Sequence, residues 1–163
     1  MSQMTSSGKA TVTLPADDQI LITREFDAPK DLVYKAWTTP DLVKRWWSGK
    51  RGEVTSVDID LQVGGKWRYV MVATEGFEVA FNGVYREITP NERIVATEVY
   101  EGMPESESLN TLTLSELDGD RTRLEILVQH EKKEHRDGHI ESGMEAGMQE
   151  AMDALEEVAK SLR

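Results

Sequence analysis

The feature of this chain that most restricts its fold is a change of hydrophobic period near residue 134. From 53 to 130, apolar and polar residues alternate along "EVTSVDIDL", "GKWRYVMVAT", "FEVAFNGVYREI", "RIVATEVY", "LNTLTLSEL" and "TRLEILVQH". A period of two is what a strand with one covered face requires. The breaks "QVGG", "TEG", "TPNE", "EGMPESE" and "DGDR" carry the Gly, Pro and Asn that tight turns need. Connections this short join antiparallel neighbours. After 134 the period becomes 3.6: Ile140, Met144, Met148, Ala151, Leu155, Val158 and Leu162 form one apolar stripe with Glu and Lys opposite. The stripe predicts one helix of about 24 residues, about 36 Å long, capped by Asp137 or Ser142.

Upstream, "QILITREF" (19–26) reads as strand one, with Ile20, Ile22 and Arg24 on one side and Leu21 and Thr23 on the other. "ATVTLP" (10–15) alternates weakly, and two outcomes stay open: a short edge strand, or a segment packed along the body. In "DAPKDLVYKAWTTPDLVKRWW", Asp27 suits an N-cap and Pro29 a first turn, and Val33, Ala36 and Trp37 recur at helical spacing. "TTP" stops that helix and Pro40 opens a second. Residues 1–9 read as a flexible tail and 10–163 as one domain. The expected architecture is α+β: strand one, two short helices, six more strands, and a long terminal helix as the only large cover for one curled antiparallel sheet of seven strands.

Composition narrows the function classes. Thirty acids against 19 bases give a formal charge of −11, a field that disfavours nucleic acid and anionic membrane. "KRWWSGKR" (44–51) is the one basic patch, and no aromatic-basic repeat continues it. Cysteine is absent, which removes disulfides, thiolate nucleophiles and Cys-based metal sites. No apolar run approaches the ~18 residues of a membrane span, and "MSQMTSSGKA" lacks a signal peptide's pattern. A cytoplasmic protein, monomer or homodimer, without cofactor or metal, is expected.

Four stretches together, "FDAPKDLVYKAWTTPDLVKRWW", "DIDLQVGGKWRYVM", "FNGVYREITPNERIV" and "SGMEAGMQEAMDALEEVA", resemble the AHSA1-type branch of the START-like (SRPBCC) superfamily, named after the C-terminal domain of the activator of the Hsp90 ATPase. The resemblance spans about residues 18–162. It implies a helix-grip, Bet v 1-like fold with a cavity between the curved sheet and the C-terminal helix. It also implies a range of roles: lipid carrier, hormone-binding protein, polyketide cyclase or co-chaperone domain. One departure stands out. Where many members resemble Gly-Trp, this chain has Gly147-Met148.

Trp46 and Trp47 are adjacent, so on a helix they point about 100° apart and cannot face one core equally. In one reading they plug the sheet end and shield a helix contact. In the other, one lines the cavity mouth, where a rigid ring with an N–H suits an amphipathic ligand. Trp67, Tyr69 and Met71 share the inward face of one strand, with Phe81, Gly83 and Tyr85 on the next. Gly143 and Gly147 sit four apart beside Met144 and Met148. Either the sheet approaches closely there or the missing side chains leave room for a ligand. Gly64 and Gly65 make a turn without a following helix, which argues against phosphate binding.

His130 is in phase with Leu124, Ile126 and Val128 and points inward, as a structural histidine or a polar anchor. His135 and His139 have zinc-pair spacing but lie in the charged run "EKKEHRDGH" without the Glu of an HExxH motif, and read as a solvated face. No nucleophile with a paired base is visible, and the facing of Glu78 and Glu98 stays open, an inward one being a possible general base. The leading expectation is non-enzymatic binding of a small hydrophobic or amphipathic molecule. Its walls would be Trp67, Tyr69, Met71, Phe81, Tyr85, Gly143, Met144, Gly147 and Met148, its polar anchor His130, and its entrance Trp46 and Trp47. The alternatives are an Hsp90-type co-chaperone module, or a cyclase or hydrolase using a pocket His or Glu.

Overall fold

The computed structural model describes residues 9–163; the expected flexible tail, but for Lys9, lies outside the described residues. The strands are β1 (Thr11–Thr13), β2 (Gln19–Phe26), β3 (Gly52–Ile59), β4 (Lys66–Ala73), β5 (Glu78–Thr89), β6 (Arg93–Tyr100), β7 (Glu107–Leu117) and β8 (Arg121–His130). They form one antiparallel sheet in the order β1-β2-β8-β7-β6-β5-β4-β3. The sheet has eight strands where seven were expected. The eighth is the weakly alternating "ATVTLP" segment, which pairs along β2 from Thr11 opposite Thr23 to Thr13 opposite Leu21.

Alternation explains which face is covered. On β2, Ile20, Ile22, Arg24 and Phe26 are buried; on the adjoining β8, Thr122, Leu124, Ile126, Val128 and His130 are buried. Register breaks at Val54/Ser56 and Tyr85/Glu87 add local twist, helping the far half of the sheet curl toward the helices.

Between β2 and β3 lie α1 (Lys30–Thr38) and α2 (Pro40–Val43). The N-cap position of α1 is Pro29, with no side-chain cap; Asp27, expected there, instead donates its backbone N–H to Glu156 Oε2 at 2.9 Å. α2 is a single turn begun by Pro40. It stops before the tryptophans, which lie in the following turns.

The single long terminal helix is also corrected. The chain forms α3 (Lys133–Glu141) and α4 (Met144–Ser161), parted at Gly143 with φ 84°. That left-handed conformation suits glycine and ends a helix. The apolar stripe runs through the break because Ile140 and Met144, on different helices, both pack against the same core. At 1.5 Å per residue α4 is about 27 Å long.

α4 is held unevenly along its length. In its C-terminal half Met152, Leu155, Val158 and Ala159 are buried with Phe26, Val33 and Leu124. Fully covering residues of this size contributes about 1.5–3 kcal/mol each. Arg24, 2 % exposed, reaches from β2 to the Met152 carbonyl and pairs with Asp153 at 3.1 Å and Glu156 at 3.3 Å. Its guanidinium lies 4.6 Å from the centre of the Phe26 ring. In the N-terminal half Met144, Met148 and Ala151 are only partly buried. The C-terminal half is packed into the core, whereas the N-terminal half is tied by polar bonds at its flanks, Gln149 exchanging two with the Ala10 backbone at 2.9 and 2.8 Å and Glu150 accepting from the Lys50 N–H at 3.2 Å.

Candidate functional site

Under the N-terminal half of α4 lie two adjoining spaces, an inner chamber of about 330 Å³ and an outer one of about 780 Å³. Arg51, Met71, Phe81, Glu98, His139 and Met144 border both. The inner chamber is aromatic because the inward positions of β4 and β5 are aromatic and the turn after α2 adds an indole. Trp47 meets Tyr69 edge-on at 5.3 Å between ring centres and Phe81 at 5.6 Å. Trp67 lies 4.8 Å from Tyr69 and donates its Nε1–H to the Thr97 carbonyl at 3.2 Å. Gly83 makes this possible: a Cβ there would sit 2.6 Å from Trp67 Nε1 and collide with the Thr97 carbonyl.

The two adjacent tryptophans separate cleanly. Trp46 is 4 % exposed; it donates to the Ala36 carbonyl at 2.9 Å and packs on Trp37 at 4.9 Å. It fastens α1 to the turn that follows α2 while its ring borders the inner chamber. Trp47 carries no such bond to α1 and presents its ring to Tyr69 and Phe81.

Trp46, Trp47, Trp67, Tyr69, Tyr85, Gly147 and Met148 border the inner chamber, Met71, Phe81 and Met144 both chambers, and His130 the outer one. Gly143 borders neither, being the helix break itself. The two glycines therefore do not share one helix face. At Gly147 a Cβ would lie 2.8 Å from Arg51 Nε and 3.0 Å from its Cζ. The missing side chain makes way for the Arg51 guanidinium, which also donates Nη2–H to the Gly143 carbonyl at 3.3 Å. Arg51 thus straps the start of β3 across the α3–α4 break.

The wall also holds a polar group that pattern reading did not assemble. His130 Nε2 and His139 Nδ1 are 3.0 Å apart, so His139 belongs to the interior; reading it as solvated is corrected by the fold of α3 back over β8. Burial, then the neighbouring His130, holds the His139 imidazolium down to a pKa of about 4. Burial foremost, with His135 and Arg136 adding to it, also lowers that of His130. Glu98, whose facing stayed open, points inward at the boundary of the two chambers. Burial raises its pKa, opposed by a hydrogen bond from Asn110. The available sequence signal was its phase with Ile94 and Ala96. Burial likewise raises the Tyr69 and Tyr85 phenols, so both stay protonated. Among the described residues no group of three or more His, Asp or Glu is placed to hold a metal ion.

The comparisons with known proteins agree with this geometry. Residues 27–160 match the sequence profile described as "Activator of Hsp90 ATPase homolog 1-like protein". The chain belongs to this family. Three solved structures share the fold at low identity. A Rhodobacter sphaeroides protein is 25% identical with a TM-score of 0.86, the match covering 94% of this chain and 99% of that one. A Nitrosomonas europaea protein is 26% identical at TM-score 0.81, covering 91% and 97%. An Arthrobacter aurescens protein is 26% identical at 0.82, covering 93% and 91%. No curated protein matches the chain. The expected superfamily and helix-grip fold therefore hold, with an eight-stranded sheet. No helix among the described residues is long and apolar enough to cross a membrane.

Proposed function

We propose that this family member binds a small hydrophobic or amphipathic molecule between its sheet and the N-terminal half of α4, without chemistry. The observation that carries the reading is the pair of adjoining spaces, inner and outer, walled by Trp47, Trp67, Tyr69, Phe81, Met144 and Met148. A folded core would ordinarily fill such a volume, since interiors pack to crystal density. Rigid rings with flexible thioethers make an adaptable apolar wall. Covering about 200 Å² of apolar ligand surface would contribute about 5 kcal/mol before association costs. The same reading takes residues 10–163 as one cytoplasmic domain, monomeric or homodimeric, with neither nucleic acid nor cofactor as partner.

Thermal-shift and native mass spectrometry with lipids, aromatics and polyketides test it. Binders are expected to raise the melting temperature with one-to-one stoichiometry, and Trp47→Ala is expected to weaken them about tenfold. A panel in which nothing shifts the melt or is retained overturns the reading.

A second reading, an Hsp90-type co-chaperone module, is favoured by the family and by an apolar rim. Phe77 (57 % exposed) and Met103 (48 % exposed) stand at the outer chamber. A complex with the cell's own Hsp90 homologue in pull-down would support it, and absence of that complex would reject it.

A further inference from the structure

We propose that the polar row crossing β6, β7 and β8 recognises an uncharged, oxygen-bearing end of the bound molecule, such as an alcohol, phenol or ketone, at the junction of the two chambers. This inference rests on the cavity-binding reading above and specifies its ligand.

The row follows from strand register. Glu98 lies directly opposite Ser108, and Ser108 directly opposite His130. All three border the outer chamber, on the face that otherwise carries Ile94, Ala96, Leu112, Leu124, Ile126 and Val128 toward the interior. Ser108 and His130 are 5 % and 7 % exposed. Burying polar groups where apolar ones would pack costs free energy unless each finds a partner, and here the partnering is incomplete. Ser108 Oγ–H donates to Asn110 Oδ1 at 3.1 Å, which leaves the Asn110 amide to donate to Glu98. His130 spends Nε2 on His139, and its buried Nδ1 has no partner.

The hydrogen bond between the two imidazoles needs one donor and one acceptor, which a pair of neutral rings supplies in either tautomer. The imidazole pair, His130 buried and His139 half-buried, next to a carboxyl whose pKa burial raises, offers hydrogen bonds but no cation. An anionic ligand end would have to shed its hydration there without compensation. Two cations border the outer chamber, Lys50 and Arg51; Arg51 donates to the Gly143 carbonyl at 3.3 Å and Lys50 is exposed, so neither charge belongs to the polar row. Uncharged oxygen is the chemistry that such a wall accommodates.

The test compares naphthalene, 2-naphthol and 2-naphthoate, matched in ring but not in polar end, by isothermal titration near neutral pH. One added net hydrogen bond predicts 2-naphthol binding about tenfold tighter than naphthalene, with 2-naphthoate weaker than 2-naphthol. In Glu98→Leu the naphthol-to-naphthalene ratio is expected to fall toward one, whereas Glu98→Gln, which keeps a hydrogen-bonding side chain, preserves it. Melting curves of both variants establish that they fold. Equal affinity for naphthol and naphthalene overturns this inference and leaves the cavity reading intact. Tightest binding of 2-naphthoate also overturns it, in favour of a cationic anchor. If none of the three binds, the cavity reading falls and takes the inference with it.

Discussion

Acidification should uncouple α3 from β8, by an amount set by His139. Its side chain lies against His130 Nε2 at 3.0 Å, and burial holds its pKa near 4 against about 6.5 in an unfolded chain. Between those values the unfolded chain binds more protons than the folded one, so stability falls as pH falls. The contribution is complete above about pH 6.5, is lost progressively toward pH 4, and does not change further below it. Integrated from about pH 7 to about pH 4.5, a shift of that size amounts to about 2 kcal/mol. Carboxylates titrate in the same interval, and Glu98 acts in the opposite sense because its pKa is raised. The comparison is therefore with His139→Gln, which keeps a hydrogen-bonding group but does not titrate there. Urea unfolding at pH steps across the interval should show the wild type losing about 2 kcal/mol more than H139Q. If the two proteins track each other within about 0.5 kcal/mol, His139 is not buried neutral against His130, and the account of the chamber's polar end is wrong.

Arg24→Met should cost about 3–5 kcal/mol in denaturant unfolding, because Glu156, whose side chain is 12 % exposed, loses its buried cation; a loss under about 1 kcal/mol would mean that Arg24 does not anchor α4. Gly83→Ala should destabilise by about 1–3 kcal/mol as its Cβ forces the Trp67 indole from the Thr97 carbonyl. A blue or red shift of Trp fluorescence should accompany that change, and an unaltered spectrum with unaltered stability would contradict the close approach.

Pattern reading reached the sheet because a strand's side chains must alternate when one face is covered, and the buried positions of β2 and β8 follow the alternation read from their segments; on β4 Trp67 and Tyr69 follow it, but Val70 on the opposite face is buried too. It reached the walls of the inner chamber for the same reason: Trp67 and Tyr69 share a face with Phe81 and Tyr85 across β4 and β5. It failed at the terminal helix, since the stripe from Ile140 to Leu162 is continuous whether or not the backbone breaks. Only the φ of 84° at Gly143 separates α3 from α4. It failed also at His139, whose flanking charges resemble a solvated surface until α3 folds across β8.

Local chemistry along the chain thus determined strand and helix periods, the turns, the missing cysteine chemistry and the aromatic faces, all properties that depend on neighbours within a few residues. Tertiary structure decided which of Trp46 and Trp47 bonds to α1, what fills the gap at Gly147, and that Glu98, Ser108, His130 and His139 meet. Those outcomes depend on groups far apart in sequence, brought side by side by strand register and by a helix packed into the core at only one end. No periodicity in a linear chain encodes that distance.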